Sequence, residues 1–458
     1  MSNKIFDILI LGSGLSSMIF AEEYLKKNKK INIISPSFNK DLLDNFRFTP
    51  DDKGLPPQFK KNFSKIEDYF KFNNFKFDKK NCSLLGSLEF GGLSNYWGLQ
   101  IDKDVSSDLD SFGSKVKKEI MKCFLEMLNE KLLTGSFKNY NKDFKLNYFY
   151  EKLFSQRNKK NNSLIIEKSL LALNKINSNK KDKKLTPNLI FNKIENKVIL
   201  HNYFVDKIRK KKNLLYLHSV NKNDSKIFIT KRLILAAGTL STTRLIMEYL
   251  GIKNEVAIKH HPRLISVYLG KNKISSNLDV APGLFQIKNK KENFSGDIRP
   301  SNEMIINMAL KIYSLFKPIK NIFMFFKNYI FFSNNLLGSQ YSNLFIKKFN
   351  NHYKIYSKKK NTLKILKDKQ KIIYSYLKTK KIIFPFYKNF FPGIGSDYHY
   401  FGTIPIGKKK LSVNKNCQLK NNKSIFIVDG SVLNFKKNLY PFGFVMANAK
   451  RIAKIIKK

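Results

Sequence analysis

The chain predicts an α/β fold, with a Rossmann-like nucleotide-binding domain assembled from discontinuous segments and a second, α+β domain. Three observations predict it. Residues 6–25 read FDILILGSGLSSMIFAEEYL, an apolar run, a Gly12-Ser13-Gly14 turn and a helical pattern. Residues 233–251, LILAAGTLSTTRLIMEYLG, follow the same plan far along the chain. Near the C-terminus, IFIVDGS at residues 425–431 supplies a further strand, and a helix starts at Pro441.

In the first unit, residues 8–11 form the strand, and Met18, Ile19, Ala21 and Leu25 recur at helix spacing. Gly12 lets the chain turn sharply, and Gly14 lets backbone approach a pyrophosphate. Ser17 takes the third small position, where helix and strand pack closely. The helix N-terminus offers N–H groups and partial positive charge to phosphates. A returning apolar run, residues 31–34, ends at Ser35, where an acidic residue for ribose hydroxyls is expected. The diphosphate half of a dinucleotide is therefore better specified than the adenosine half. An ordinary strand–turn–helix, with glycines for steric reasons alone, is the alternative.

With 458 residues the chain can bury a large core and hold more than one domain. No uncharged apolar run of about 18 residues predicts a spanning helix. A strand begins almost at once, without the pattern of a signal peptide. Cys82, Cys123 and Cys417 stand singly, which argues against a disulfide framework or a metal site. The cytoplasm is the expected compartment. The net charge of +52 comes almost wholly from Lys, accompanied by much Asn, Ile and Phe, the mark of A/T-rich codons. Arg is scarce and the lysines are spread out, so no specific nucleic-acid partner is expected. Weak attraction to polyanions or acidic membrane surfaces is a background property of such a charge.

Residues 36–59, with Pro50, Pro56 and Pro57, read as loop. Residues 88–100, LEFGGLSNYWGLQ, gather Gly91, Gly92, Ser94, Asn95, the single Trp97 and Gly98. Paired glycines suit backbone lying flat against a bulky planar group; a glycine-rich turn around a buried Trp is the equal alternative. An amphipathic helix over 114–133 buries Val116, Ile120, Phe124 and Leu128, with Ser114 as its cap and Cys123 and Met127 as packing residues. Residues 141–184 read as helical insertion and loops.

Runs at 203–208, 214–218 and 226–230 predict an antiparallel meander leading into the strand at 233–236. The Ala237-Gly238 turn follows, with Ser241 or Thr242 as helix cap. His260 and His261 have no third ligand nearby in sequence, so no metal site is expected. Within the poorly patterned 264–391, the segment NIFMFFKNYIFF at 321–332 reads as core beside a substrate pocket, with membrane-surface contact as the alternative. The chemistry concentrates at the end of the chain. DYHYFGTIPIG at 397–407 sets His399 before a glycine turn, and Asp429-Gly430 closes a strand. The final helix opens at Pro441 and buries Val445, Met446, Ala449, Ile452 and Ile455.

Taken together, GSGLSS, GGLSNYWG, AAGTLSTTRL, KHHP, HYFGT and VDGS through the last helix resemble the glucose–methanol–choline oxidoreductases, FAD-dependent enzymes that oxidise alcohols. The blocks stand in the family's order and span both ends of the chain. The resemblance implies an FAD-binding domain from residues 1–100, 191–263 and 392–458. Residues 101–190 and 264–391 would form the substrate-binding domain and insertions. It implies that Gly12, Gly14, Leu15 and Ser17 hold the FAD diphosphate and that Gly91, Gly92, Ser94 and Asn95 line the flavin. Val205, Ala237 and Gly238 also fall at cofactor positions, Asp429 and Gly430 meet the ribityl–phosphate chain, and the helix at Pro441 and Phe442 points at the flavin pyrimidine.

His399 matches the family's catalytic base, and Tyr440 stands where a second histidine or an asparagine is usual, as a substrate-orienting donor. Tyr96 occupies the place of a flavin-linking histidine, which implies noncovalent FAD. The implied activity is oxidation of CH–OH in a sugar or other alcohol, with proton abstraction and hydride transfer to flavin and an unidentified electron acceptor. A noncatalytic FAD-binding protein and a basic polyanion- or membrane-surface-binding protein are the alternatives.

Overall fold

The computed structural model describes residues 4–36, 63–95, 97, 99–102, 109–130, 164–174, 183–221, 224–272, 285–289, 294–300, 321, 325–326, 328–358, 361–435 and 440–456. Tyr96, Gly98, most of the loop at 36–59 and the predicted helix end at 131–133 lie outside them. The elements that carry the site are strands β1 (Ile5–Leu11), β2 (Ile31–Ile34), β3 (Val198–His201), β4 (Phe204–Lys211), β5 (Leu214–Val220), β6 (Ser225–Leu235) and β7 (Asn422–Ile427). The helices are α1 (Leu15–Leu25), α2 (Ser114–Asn129), α3 (Thr239–Tyr249) and α4 (Phe442–Ile456).

One sheet joins the three separated stretches, in the order β4-β5-β6-β1-β2-β3, with β7 also on β6. Strand β6 is its joint. Its first half pairs antiparallel with β5, Leu215 opposite Thr230 and Val220 opposite Ser225. Its second half runs parallel to both β1 and β7, so that Leu233 faces Leu9 on one side and Ile425 on the other. The last run of the meander, at 226–230, and the following strand, separate in the sequence pattern, are thus one element of 11 residues. Ile10, Leu233, Ile234 and Ile425 are fully buried, as expected of parallel strands covered on both faces.

Helix α1 packs on α4 and α4 on α2, with Phe124 and Phe444 stacked at 4.4 Å between ring centres. Three basic residues of α4 meet acids of α2 or its end: Lys450 with Glu130 at 2.8 Å, Arg451 with Glu119 at 3.3 Å, and Lys454 with Glu126. The described part of the predicted 114–133 helix ends at Asn129, and Gly113 rather than Ser114 sits at its cap, without a side-chain bond. Ser114 is already the first helical residue, one position too late to cap.

Within the segment read as helical insertion and loops, the described residues 164–174 and 183–184 carry strand, and the rest of it lies outside the described residues. Leu164–Lys168 forms one edge of a six-stranded sheet whose other strands are Phe285–Asn289, Phe294–Pro300, Ile330–Leu337, Arg263–Gly270 and Ile383–Phe390. Its partner, Phe285–Asn289, lies more than a hundred residues away, so the pairing that makes it a strand has no local signature. The helix Thr362–Thr379 covers this sheet with Leu366, Ile373 and Leu377, which are fully buried.

Candidate active site

The turn between β1 and α1 is shaped by contact. Gly12 has φ +108°, and a Cβ there would sit 2.2 Å from the Ala236 carbonyl oxygen. Its N–H donates to Ile34 O at 2.9 Å, while the Ser17 hydroxyl donates to Gly12 O at 2.6 Å. Strands β1, β2 and β6 are thereby drawn to one point beneath the helix start. The Ser94 hydroxyl accepts from Leu15 N at 3.0 Å, and a Cβ on Gly14 would stand 3.2 Å from that oxygen. Ser13 shares a hydrogen bond of 2.8 Å with Ser35 and accepts from Gly91 N at 2.9 Å. Ser35, at the expected acidic position, therefore helps to dock the Gly91–Asn95 turn on α1.

The second turn is held from the C-terminal segment. Gly238, at φ +81°, occupies the cap of α3 with no side-chain bond, correcting the expectation of Ser241 or Thr242. Those hydroxyls lie within the helix and bond outward: Ser241 to Tyr69 at 3.0 Å, and Thr242 to Asp429 at 2.5 Å. Thr239 donates to Tyr400 O at 2.6 Å, fixing the backbone beside His399. Ser431 N donates to the other Asp429 oxygen at 3.0 Å. Burial pushes the Asp429 pKa up, and these donors oppose it. Arg244, buried on α3, donates to Val205 O at 3.2 Å and Asn73 Oδ1 at 3.2 Å, and pairs with Asp206.

His399 follows Tyr398, whose φ of +61° lies in the left-handed region that residues with a Cβ seldom enter. The Arg263 guanidinium lies 5.6 Å from the centre of the Tyr398 ring. His399 Nδ1 is 3.9 Å from Asp397 Oδ2 and makes no hydrogen bond, while the side chain keeps 23% exposure. Asp397 also meets His260 Nδ1 at 3.2 Å and accepts from His261 N at 2.8 Å. Burial would raise its pKa, but the bond and charge of His260 hold it at about 2. Burial lowers the pKa of His399, with Asp397 opposing, and pushes that of His261 down to about 3. His399 is therefore neutral at neutral pH and able to accept a proton.

Tyr440 lies edge-on to His399, ring centres 6.5 Å apart, and donates its hydroxyl to Asp297 Oδ2 at 2.7 Å. Asp297 is fully buried and accepts two bonds from Arg299, at 2.5 and 3.0 Å. Burial and the Asp297 charge push the phenol pKa well above its usual value.

A cleft about 180 Å³ in volume collects most of the residues singled out from sequence. Gly12, Gly14, Gly91, Gly92 and Ser94 line it, together with Val205, Ala237 and Gly238. His399, Asp429, Gly430, Pro441 and Phe442 close it. Four residues lie behind this lining. Leu15 and Ser17 are fully buried beneath the turn, Asn95 bonds back to Phe90 O at 2.7 Å, and Tyr440 packs beside Leu336. Asp397 and Arg244 lie inside the DYHYFGT and AAGTLSTTRL motifs, where no local pattern marks their partners, Arg263 follows KHHP, and Asp297 and Arg299 lie in the poorly patterned 264–391. Among the described residues no group of three metal-ligating side chains occurs.

No protein-family model matches the chain, and no curated protein matches it in sequence. The fold is shared. A crystal structure of pyridoxine 4-oxidase from Mesorbium loti matches with a TM-score of 0.64 at 12% identity, covering 98% of this chain and 99% of that one. At that identity the likeness shows the architecture, and it runs the full length of both chains.

Proposed function

We propose that the protein is a flavin-dependent oxidoreductase that holds FAD noncovalently and oxidises a CH–OH group of a small alcohol or sugar. The observation that carries the reading is the neutral His399, set in the same cleft as two strand–glycine–helix turns and the start of α4. Support for FAD comes from the cleft itself. Gly238 faces open space where a side chain would stand, and Gly12, Gly91 and Gly92 bring bare backbone to the same lining. The starts of three helices, α1, α3 and α4, contribute Gly14, Thr239 and Phe442 to the lining. Such a donor set fits a diphosphate and a planar ring.

FAD, when bound, supplies the hydride acceptor. His399 accepts the hydroxyl proton at Nε2, with Nδ1 turned towards Asp397. Asp397, ionised, stabilises the imidazolium that results. The N-terminus of α4 presents partial positive charge to the cleft. The name of the structural neighbour, an oxidase, agrees with this class of reaction. The test is the visible spectrum of the purified protein, followed by anaerobic addition of alcohols and sugars. A flavin band that one compound bleaches supports the enzyme and names its substrate class. No flavin after reconstitution with FAD overturns the reading, and a band that no compound bleaches favours a noncatalytic flavoprotein.

A further inference from the structure

The six-stranded sheet ends in an edge that its own core does not use. Ile383–Phe390 pairs with Arg263–Gly270 on one side and is, among the described strands, the outer one of its sheet. Tyr387 packs on Tyr374 of the helix Thr362–Thr379, ring centres 4.5 Å apart. Phe384 and Phe386 lie where the register with Arg263–Gly270 shifts, and they are 40% and 67% exposed. A second aromatic pair lies at the same end of the sheet. Phe325 is 78% and Phe326 41% exposed. The two pairs are tied together through Gly270 and Lys271. Gly270 N donates to Tyr329 O at 2.7 Å, Tyr329 N to Phe326 O at 2.8 Å, and Lys271 N to Ile382 O at 2.9 Å.

Exposed lysines accompany these rings. Lys271 sits 5.7 Å from the centre of the Phe384 ring, and Lys378, Lys381 and Lys388 are exposed around the strand. From residue 304 to residue 396 the sequence holds one acid, Asp368, and that carboxylate already pairs with Lys371 at 3.2 Å. Exposed phenylalanines among exposed lysines match the two demands of an anionic bilayer surface. Apolar side chains enter the headgroup boundary, and lysines meet the lipid charge. Pro385 also blunts the strand against pairing with another strand.

We propose that this edge, centred on Phe384, Phe386, Phe325 and Lys271, docks the protein on an anionic membrane surface. The arrangement favours lipid over nucleic acid, because the cations are lysines without the planar fork of Arg and the rings stand on an apolar edge rather than in a groove.

The experiment is co-sedimentation of the full chain with vesicles of phosphatidylcholine alone and of phosphatidylcholine with phosphatidylglycerol. Binding is expected with the mixed vesicles and not with phosphatidylcholine alone, weakening as salt rises. F384S/F386S is expected to lower partitioning about tenfold while melting temperature is kept. Should that variant fail to fold, K381E/K388E changes only exposed lysines and is expected to weaken binding to the mixed vesicles in the same assay. The proposal is overturned by absence of binding to anionic vesicles, or by binding that neither pair of substitutions lowers. Equally, capture of a single-stranded oligonucleotide in place of vesicles would assign the edge to nucleic acid.

Discussion

The Tyr440 hydroxyl donates to Asp297 Oδ2 at 2.7 Å, while the same ring stands edge-on to His399. The phenol is thus bound to a buried carboxylate that also holds Arg299, behind the cleft rather than in it.

Tyr440→Phe is therefore expected to retain flavin reduction within about tenfold of the parent, since the hydroxyl is bound to Asp297 rather than moving the substrate proton. Stability is expected to fall by about 1–3 kcal/mol, the worth of one hydrogen bond to a charged group, while Arg299 still holds Asp297. Stopped-flow reduction and denaturant unfolding check the two parts separately. A loss of several orders of magnitude in reduction would return the hydroxyl to the substrate.

For His399→Ala the expectation is reversed. The flavin spectrum is retained, and the reductive rate falls by about 10²–10⁴, the usual worth of a positioned base. Unchanged reduction by substrate would remove His399 from the chemistry.

Asp397→Asn tests the charge behind the imidazole. The carboxylate raises the pKa of His399 against burial, so removing it lowers that pKa further. A base must be deprotonated to act, so the acidic limb of kcat/KM is expected to move to lower pH. The plateau rate should fall as well, because the imidazolium loses its neighbour. A pH profile of anaerobic reduction reads both effects.

Stability has its own pH dependence. Burial holds His261 at about 3, below its unfolded value near 6.5, so the unfolded chain binds more protons between those pH values. Asp397, held at about 2, adds stability that is present above its unfolded pKa of about 3.8 and lost as pH falls through 2. Melting temperature is expected to decline as pH drops below about 6.5, with the Asp397 share lost last. A flat profile from pH 7 to 4 would contradict the burial of His261.

Two glycines separate folding from binding. At Gly12 a methyl group would collide with Ala236 O at 2.2 Å, so Gly12→Ala is expected to lose the folded protein. At Gly238 the space is open, and Gly238→Ala meets no clash but puts a Cβ at φ +81° and ψ 149°, a region almost confined to glycine, which costs about 1–3 kcal/mol. That variant is expected to fold but to bind flavin more weakly, which circular dichroism and flavin fluorescence distinguish.

Local chemistry decided a good deal of this protein. The apolar run of β1, the Gly12–Gly14 turn and the spacing of α1 are written within some twenty neighbouring residues, because a strand–turn–helix needs only local periodicity and one permissive backbone. The same holds for the meander, for Gly238 and for the buried face of α4. His399 stood out because a glycine turn and an acid–glycine strand end lay close to it.

Tertiary structure decided the rest. Leu164–Lys168 became a strand only by pairing with Phe285–Asn289. Asp397 gained its meaning from His260 and His261, more than a hundred residues away, and Tyr440 from Asp297. Ser241 and Thr242, suited to caps, were drawn to Tyr69 and Asp429 instead. Hydrogen bonds and ion pairs act over a few ångströms of space, whatever the separation along the chain. A sequence pattern therefore carries the elements and their buried faces, while the charge state and orientation of the site belong to the folded assembly.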